Sequence, residues 1–251
     1  MMRFSGKVAF ITGGAMGFGR AFAKALGKEG ASICVADIDI PTAEQTVKDL
    51  TASGIKAIAV NCDVGSNDAV QAAVRRAIAE LGGIDILINN AGKHLTRFSR
   101  PFIEQPVEQL RLLFEVNMMG LIYCTLACRE TMKARGGGSI VNISSISSYF
   151  SLNPYGVSKL AVRGLTSAFA GELGPDGTRV NAIAPGLMAT EAAMEDQPKE
   201  KIDRFVNELQ HIKRLGTMDD VVSTLLFLCS KEASFITGET IRVSGGYPYG
   251  I

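Results

Sequence analysis

Residues 7–19 read Lys7-Val8-Ala9-Phe10-Ile11-Thr12-Gly13-Gly14-Ala15-Met16-Gly17-Phe18-Gly19. A short apolar run gives way to a glycine cluster, and a stretch of helical period follows over 17–29, so the chain passes from a buried strand through a tight turn into a helix. In that setting Gly13 allows a sharp exit from the strand, Gly17 lets a pyrophosphate approach the backbone, and Gly19 permits close packing of helix on strand. The helix start adds free N–H groups and roughly half a positive charge. A glycine triplet alone marks only a turn. The strand, loop and helix around it are what point to a dinucleotide phosphate site, with Met16 and Phe18 completing the expected contact set.

Outward from this loop, short β-branched runs alternate with longer stretches of helical period to the end of the chain. Strands are expected at 7–12, 32–37, 57–62, 84–89, 139–144, 179–184 and 240–243, each apolar on both faces as buried parallel strands are. Helices are expected at 17–29, 42–53, 67–81, 107–134, 154–173, 199–210 and 218–230, with Gly30, Gly54 and Gly82 placed as C-caps. No Pro/Gly/Ser-rich linker interrupts the pattern. It describes a single α/β domain over 1–251, a Rossmann-like doubly wound parallel sheet with helices on both faces.

Asp37 ends the second strand 18 residues beyond Gly19, where a carboxylate accepts hydrogen bonds from an adenosine ribose. It would repel a 2′-phosphate, and neither the glycine loop nor the neighbouring Ile38 supplies an Arg or Lys to attract one. NAD is therefore expected over NADP.

Composition narrows the function. Lys plus Arg number 26 against 25 acids, leaving no large cationic field to draw the chain to nucleic acid or anionic lipid. With 47% hydrophobic and 20% charged residues, the chain is not of the disordered class. The apolar start is too short for a signal-peptide core, and no apolar segment is expected to span a bilayer, so the cytoplasm is the default location. The cysteines, Cys34, Cys62, Cys124, Cys128 and Cys229, are scattered and odd in number. They read as reduced, buried thiols, with neither disulfides nor a metal site expected.

Tyr155 and Lys159 stand four residues apart near the start of a long helix, on one face. A phenol titrates near 10, too high for a base at neutral pH, but a nearby ammonium and a cationic nicotinamide both stabilise phenolate. On many helices such a pair is only a solvated face. Here Tyr155-Gly156-Val157-Ser158-Lys159 follows a strand ending Ile143-Ser144-Ser145 and precedes Asn181-Ala182-Ile183-Ala184-Pro185-Gly186. With the Thr12–Gly19 loop, Asn61-Cys62-Asp63-Val64, Asn89-Asn90-Ala91-Gly92, Asn117 and Pro185-Gly186 with Thr190, the chain resembles the short-chain dehydrogenase/reductase family essentially end to end.

That resemblance implies a tetrad of Asn117, Ser145, Tyr155 and Lys159 that moves a hydride between NAD(H) and a secondary alcohol or ketone. Tyr155 would be the acid/base, Ser145 the hydrogen-bond partner of the substrate oxygen, Lys159 the holder of the nicotinamide ribose, and Asn117 the holder of a relay water. It also implies that Asp63 binds the adenine edge with Val64 beside it, that Asn90, Ala91 and Gly92 lie along the adenosine ribose, and that Pro185, Gly186, Met188 and Thr190 cover the nicotinamide. A homotetramer pairing through 107–134, 154–173 and the C-terminal strand is implied as well; the apolar 225–228 and 247–251 give it physical support.

Three departures from the family pattern bear on the site. Ser145 stands only ten residues before Tyr155, fewer than usual, so the loop 146–154 is short. The usual interval would land on Asn142 inside the strand, which leaves Ser147 and Ser148 as fallbacks. Met188 replaces a small β-branched residue, and Ser244 replaces an acid before the last Gly-Gly. Substrate contacts are expected from the loop 93–105, with His94 and Arg97, from 146–154, with Ser147, and from a lid at about 188–212. The cations Lys93, His94, Arg97 and Arg100 allow an anionic substrate, although a solvated surface explains them as well. An NAD-binding regulator without turnover, a 3-oxoacyl-thioester reductase, and an epimerase or dehydratase remain as alternatives; the last would ordinarily need a longer C-terminal region.

Overall fold

The computed structural model describes residues 2–94, 98–189 and 198–248. Every residue of β1 (Val8–Thr12) is buried, and its alternating side chains feed two different cores. Ala9 and Ile11 join a cluster with Phe22, Leu26 and Leu225, while Phe10 joins one with Val74, Cys128 and Phe169. A strand buried on both faces needs helices on both sides, and the chain supplies them. After β1 come α1 (Gly17–Lys28), β2 (Ser32–Asp37), α2 (Ile40–Ala52), β3 (Ala57–Asn61), α3 (Asn67–Leu81) and β4 (Ile86–Asn89). The second half contains α4 (Val107–Phe114), α5 (Gly120–Ala134), β5 (Ser139–Ile143), α6 (Pro154–Leu173), β6 (Arg179–Pro185), α7 (Lys199–Arg204), α8 (Met218–Cys229) and β7 (Thr240–Val243).

The strands form one parallel sheet in the order β3-β2-β1-β4-β5-β6-β7. Winding reverses between β1 and β4, and the crevice beyond their carboxyl ends is where such sheets bind ligands. The expected doubly wound fold is therefore present. Gly30, Gly54 and Gly82 have φ of 97°, 79° and 88°, the left-handed backbone of helix C-caps.

Several expectations are corrected. The strand expected from residue 84 begins at Ile86, because Asp85 turns a buried carboxylate onto the Val8 N–H, Lys7 and Arg135 at 2.9 Å each. β7 is not apolar on both faces: it is the sheet's edge, and none of its residues is fully buried. The helix over 107–134 is continuous but contains a π turn at Glu115–Met119. That over 199–210 ends in a second π turn, Phe205–Leu209. The course Val107–Ala134 is also long and apolar enough to cross a membrane, contrary to the expectation that no segment would be, although its Cys124, Cys128 and Met132 pack in the core. All five cysteines are buried and free, and burial pushes the Cys62 thiol up to about 12. No cluster of metal-ligating side chains occurs among the described residues.

Candidate active site

The glycine loop is bolted to the neighbouring strand before it reaches the crevice. Thr12 Oγ1 donates to the Ile88 carbonyl at 3.2 Å and accepts from the amides of Asn90 and Ala91 at 3.0 and 3.1 Å. Asn90 Nδ2 donates to the carbonyls of Thr12 and Gly13, both at 2.9 Å. Gly13 and Gly17 have φ of 61° and 54°, which disfavours any side chain there. A Cβ on Gly19 would run into the Gly13 carbonyl oxygen, whereas one on Gly17 would meet nothing within 4 Å. Gly19 thus serves helix–strand packing and Gly17 leaves room over the loop. α1 starts at this point without a side-chain cap or an acid in its first turn.

Asp37 lies beside the loop. Its carboxylate accepts from the Ala15 and Asp39 amides at 2.9 and 3.0 Å, and the adjoining Ile38 is exposed. Asp63 is exposed and accepts from the Gly65 amide at 2.9 Å, while Val64 is buried against Gly120. The Asn90 side chain is committed to the glycine loop rather than extended along a ribose position. These residues fit a dinucleotide: a cradle without side chains, an uncapped helix start, and a fixed carboxylate one strand away.

The second half of the site is built where the π turn, the end of β5 and the start of α6 meet. The π turn directs Asn117 inward, where it is buried; wide turns of this kind recur at functional sites. Its Oδ1 accepts from the Lys93 amide at 2.7 Å, and its Nδ2 donates to the Ser158 hydroxyl at 3.0 Å. Ser158 in turn donates to the Tyr155 carbonyl at 2.7 Å. A Cβ on Gly92 would stand 3.2 Å from Asn117 Oδ1 and 3.3 Å from Lys159 Nζ, so Gly92 lies against both.

The short loop is a compact one. Ser145 caps a 3₁₀ turn, Ile146–Tyr149, accepting from the Ser147 amide at 3.1 Å. Asn153 caps α6, accepting from the Gly156 amide at 2.8 Å, and Pro154 occupies the first helical turn, where it is tolerated. Gly156 is required there, because any Cβ would strike the Ser151 carbonyl. The result brings Ser145 and Tyr155 together on the wall of one cleft. The fallbacks face elsewhere: Ser148 donates to the Ser145 carbonyl at 2.6 Å, while Ser147 is buried in the wall of the cleft. Asn142 is fully buried, paired with Asn89 and Thr166 at 2.9 Å each.

Lys159 is buried. Its ammonium donates to the Ile143 carbonyl at 2.9 Å, 5.9 Å from the centre of the Tyr155 ring, and the Ser144 hydroxyl donates to its own carbonyl at 2.9 Å. Burial lowers its pKa to about 8. Burial also pushes the Tyr155 phenol above its usual value, and the nearby Ser145 hydroxyl pulls it partly back. The lowered phenol pKa expected from the lysine is not found; desolvation sets the direction of the shift.

A cleft of about 480 Å³ connects the two halves. Phe18, Asn90, Gly92, Ser145, Tyr155, Lys159, Pro185, Gly186 and Met188 line it, as do His94 and Ser147. Met188 is buried, with its sulfur against Gly216. Gly186 packs so closely on the Ser244 backbone that a Cβ would come within 2.8 Å of Ser244 Cα. Arg100 is exposed outside the cleft lining, and Arg97 and Thr190 lie outside the described residues. Phe150, Lys201, Ile202 and Phe205 also line the cleft, from the two segments, 146–154 and 188–212, expected to contact substrate, although the sequence does not single out the individual side chains. Their place depends on how distant segments meet. Ser158 was visible inside the tyrosine–lysine motif, but its role depends on Asn117 arriving from another helix.

Comparison with known proteins agrees with this geometry. Residues 13–248 match the family model described as enoyl-(acyl carrier protein) reductase. An uncharacterized oxidoreductase of Mycobacterium tuberculosis is 42% identical over 243 residues, covering 97% of this chain and 98% of that protein. Dehydrogenase/reductase SDR family member 4 of Rattus norvegicus is 35% identical over 245 residues, 96% of this chain and 87% of its own. Among solved structures, 7α-hydroxysteroid dehydrogenase complexed with NADH and 7-oxo glycochenodeoxycholic acid superposes with a TM-score of 0.92 at 34% identity, covering 98% of this chain and 95% of that one. Sheet order, glycine loop and end-to-end similarity agree, and the chain belongs to the short-chain dehydrogenase/reductase family of oxidoreductases.

Proposed function

We propose that the protein transfers a hydride between NAD(H) and a secondary alcohol or ketone. The observation that carries this reading is the convergence of Ser145 and Tyr155, one helical turn from a buried Lys159, on a cleft that also reaches the glycine loop. When bound, the nicotinamide supplies the two-electron acceptor or donor. The Ser145 hydroxyl orients the substrate oxygen, and Tyr155 takes its proton during oxidation or returns one during reduction. Lys159 holds positive charge beside the phenol and stabilises the phenolate form. Asn117, fixed by Lys93 and Ser158, holds the relay that returns the proton to solvent.

Asp37 supports NAD over NADP, because its carboxylate is fixed beside the loop and the exposed neighbour Ile38 offers no positive charge to a 2′-phosphate. The solved relative with NADH bound supports a nicotinamide cofactor. A homotetramer is supported by the exposed Val107, Leu112, Leu126 and Leu160 on the helices expected to pair, which a lone subunit would leave in water. Light scattering at the mass of one chain would contradict it.

The test of activity is incubation with NAD and with NADP across a panel of secondary alcohols at mildly alkaline pH, followed by nicotinamide absorbance. Turnover of a secondary alcohol is expected. Nucleotide binding with no turnover anywhere in the panel would make the protein a cofactor-sensing regulator instead.

A further inference from the structure

The part of the cleft beyond the tetrad is mostly apolar, built by Ile146, Phe150, Leu187, Ile202 and Phe205. Two of these rings share a support. Phe205 meets Tyr247 edge-on, with centroids 5.0 Å apart at 79°, and Phe150 tilts against the same ring at 5.4 Å and 54°. The short loop, the α7 segment and the C-terminal tail thus assemble one aromatic wall. Such packing fixes the rings before any substrate arrives.

The charges around this wall are sorted by sign. On the segment 199–209, Lys201, Ile202 and Phe205 share the cleft face, while Glu200, Asp203 and Glu208 do not line it. Arg204 pairs with Glu208 at 3.4 Å, and Lys201 enters no ion pair among the described residues. Lys93 and Lys159 also line the cleft, and no aspartate or glutamate among the described residues does. A cation would face three lysines, and a polyol would leave the apolar and aromatic part of the cleft without a partner, although Ser99, Ser147, Ser151 and Asn153 line the rest of it.

We propose that the cleft takes a secondary alcohol or ketone carried on an apolar, ring-bearing body with an anionic group at its far end, the body lying on Phe150 and Phe205 and the anion meeting Lys201. This assignment rests on the hydride-transfer reading above. Lys201 is exposed, so the contact is solvent-screened and worth a modest factor, about two- to fivefold in affinity.

The test separates binding from turnover. The protein saturated with NADH is titrated calorimetrically with 4-cyclohexylbenzoate and with 4-cyclohexylbenzamide, which have one body and differ in charge. The benzoate is expected to bind about two- to fivefold more tightly, with the gap shrinking at high salt. Lys201→Gln should abolish the gap and Lys201→Arg keep it, while Lys199→Gln on the same helix changes nothing. Equal binding, no binding of either ligand, or a gap that survives Lys201→Gln overturns the proposal. So does a Lys201→Gln effect confined to NADH affinity, which would assign the lysine to cofactor phosphate. In parallel, 4-(4-oxocyclohexyl)benzoate and its amide are offered as ketones. Binding preference without reduction of either ketone, together with no turnover across the alcohol panel, would refute the hydride-transfer reading and leave the anion site standing; equal reduction of both ketones would do the reverse.

Discussion

Asn117 and Ser158 are joined by a 3.0 Å hydrogen bond across two helices, and Ser158 is bonded in turn to the Tyr155 carbonyl. The π turn and the tyrosine–lysine helix are therefore held as one unit. Ser158→Ala leaves the buried Asn117 amide without an acceptor, a loss of about 1–3 kcal/mol in stability. Misplacing Asn117 by about 1 Å should lower kcat roughly ten- to a hundredfold, with cofactor affinity nearly unchanged. Ser158→Thr, which keeps the hydroxyl, should restore most of both. Equal kcat values for Ser158→Ala and wild type would show that the bond has no part in positioning.

Tyr155→Phe removes one hydroxyl from the centre of the site. Turnover should fall by about 10²–10⁴, with the fold and nucleotide binding retained. Ser145→Ala should be comparably damaging, whereas Ser148→Ala should act mainly on stability, because that hydroxyl is spent on the Ser145 carbonyl. Steady-state kinetics of the three variants checks the assignment; near-wild-type activity of Tyr155→Phe would end it.

Burial lowers the Lys159 pKa to about 8 from 10.5. Below pH 8 the folded protein carries a charged, desolvated lysine, at a cost of roughly 3 kcal/mol relative to the unfolded chain. As pH rises from 8 to 10.5 the folded state sheds the proton first, so the cost disappears. Lys159→Met should therefore melt higher than wild type at pH 7 and lose that advantage above pH 10.5, while being catalytically dead. Tyr155 is common to both proteins, so the difference between their melting curves isolates the lysine. A Met variant that melts lower at pH 7 would contradict the sign.

Asp37→Ala should raise the KM for NAD about tenfold while leaving or improving that for NADP, because it removes both an acceptor for the ribose and the repulsion of a 2′-phosphate. It also releases the Ala15 and Asp39 amides, so some loss of thermal stability should accompany the change. Comparison of kcat/KM with the two nucleotides decides the matter. A wild-type enzyme that works better with NADP would overturn the reading.

What could be read from the sequence follows the range of the interactions involved. The strand–glycine–helix run at 7–19 is local, and the structure agrees with it to within one residue at either end, with β1 starting at Val8 and α1 at Gly17. Tyr155 and Lys159 are a local pair on one helix. The π turn was invisible because Val116, Met118 and Met119 continue an apolar helical period through it, and one extra residue in 28 scarcely disturbs that period. The exposure of β7 was invisible for another reason: a strand's text does not say that it lies at a sheet's edge. The wall of Phe150, Phe205 and Tyr247 draws on three segments spread over nearly a hundred residues, and no local pattern joins them.

The wide turn at Glu115–Met119 has a consequence for how this chain tolerates insertions and deletions. It holds one residue beyond ordinary pitch, so deleting one there would let the helix close to regular α geometry with its two halves still in phase, Leu113 of α4 and Cys124, Cys128 and Met132 of α5 keeping their seats in the core. What the deletion would remove is the bulge that turns Asn117 toward Ser158. A one-residue deletion at Glu115–Met119 should therefore spare the fold and cost activity.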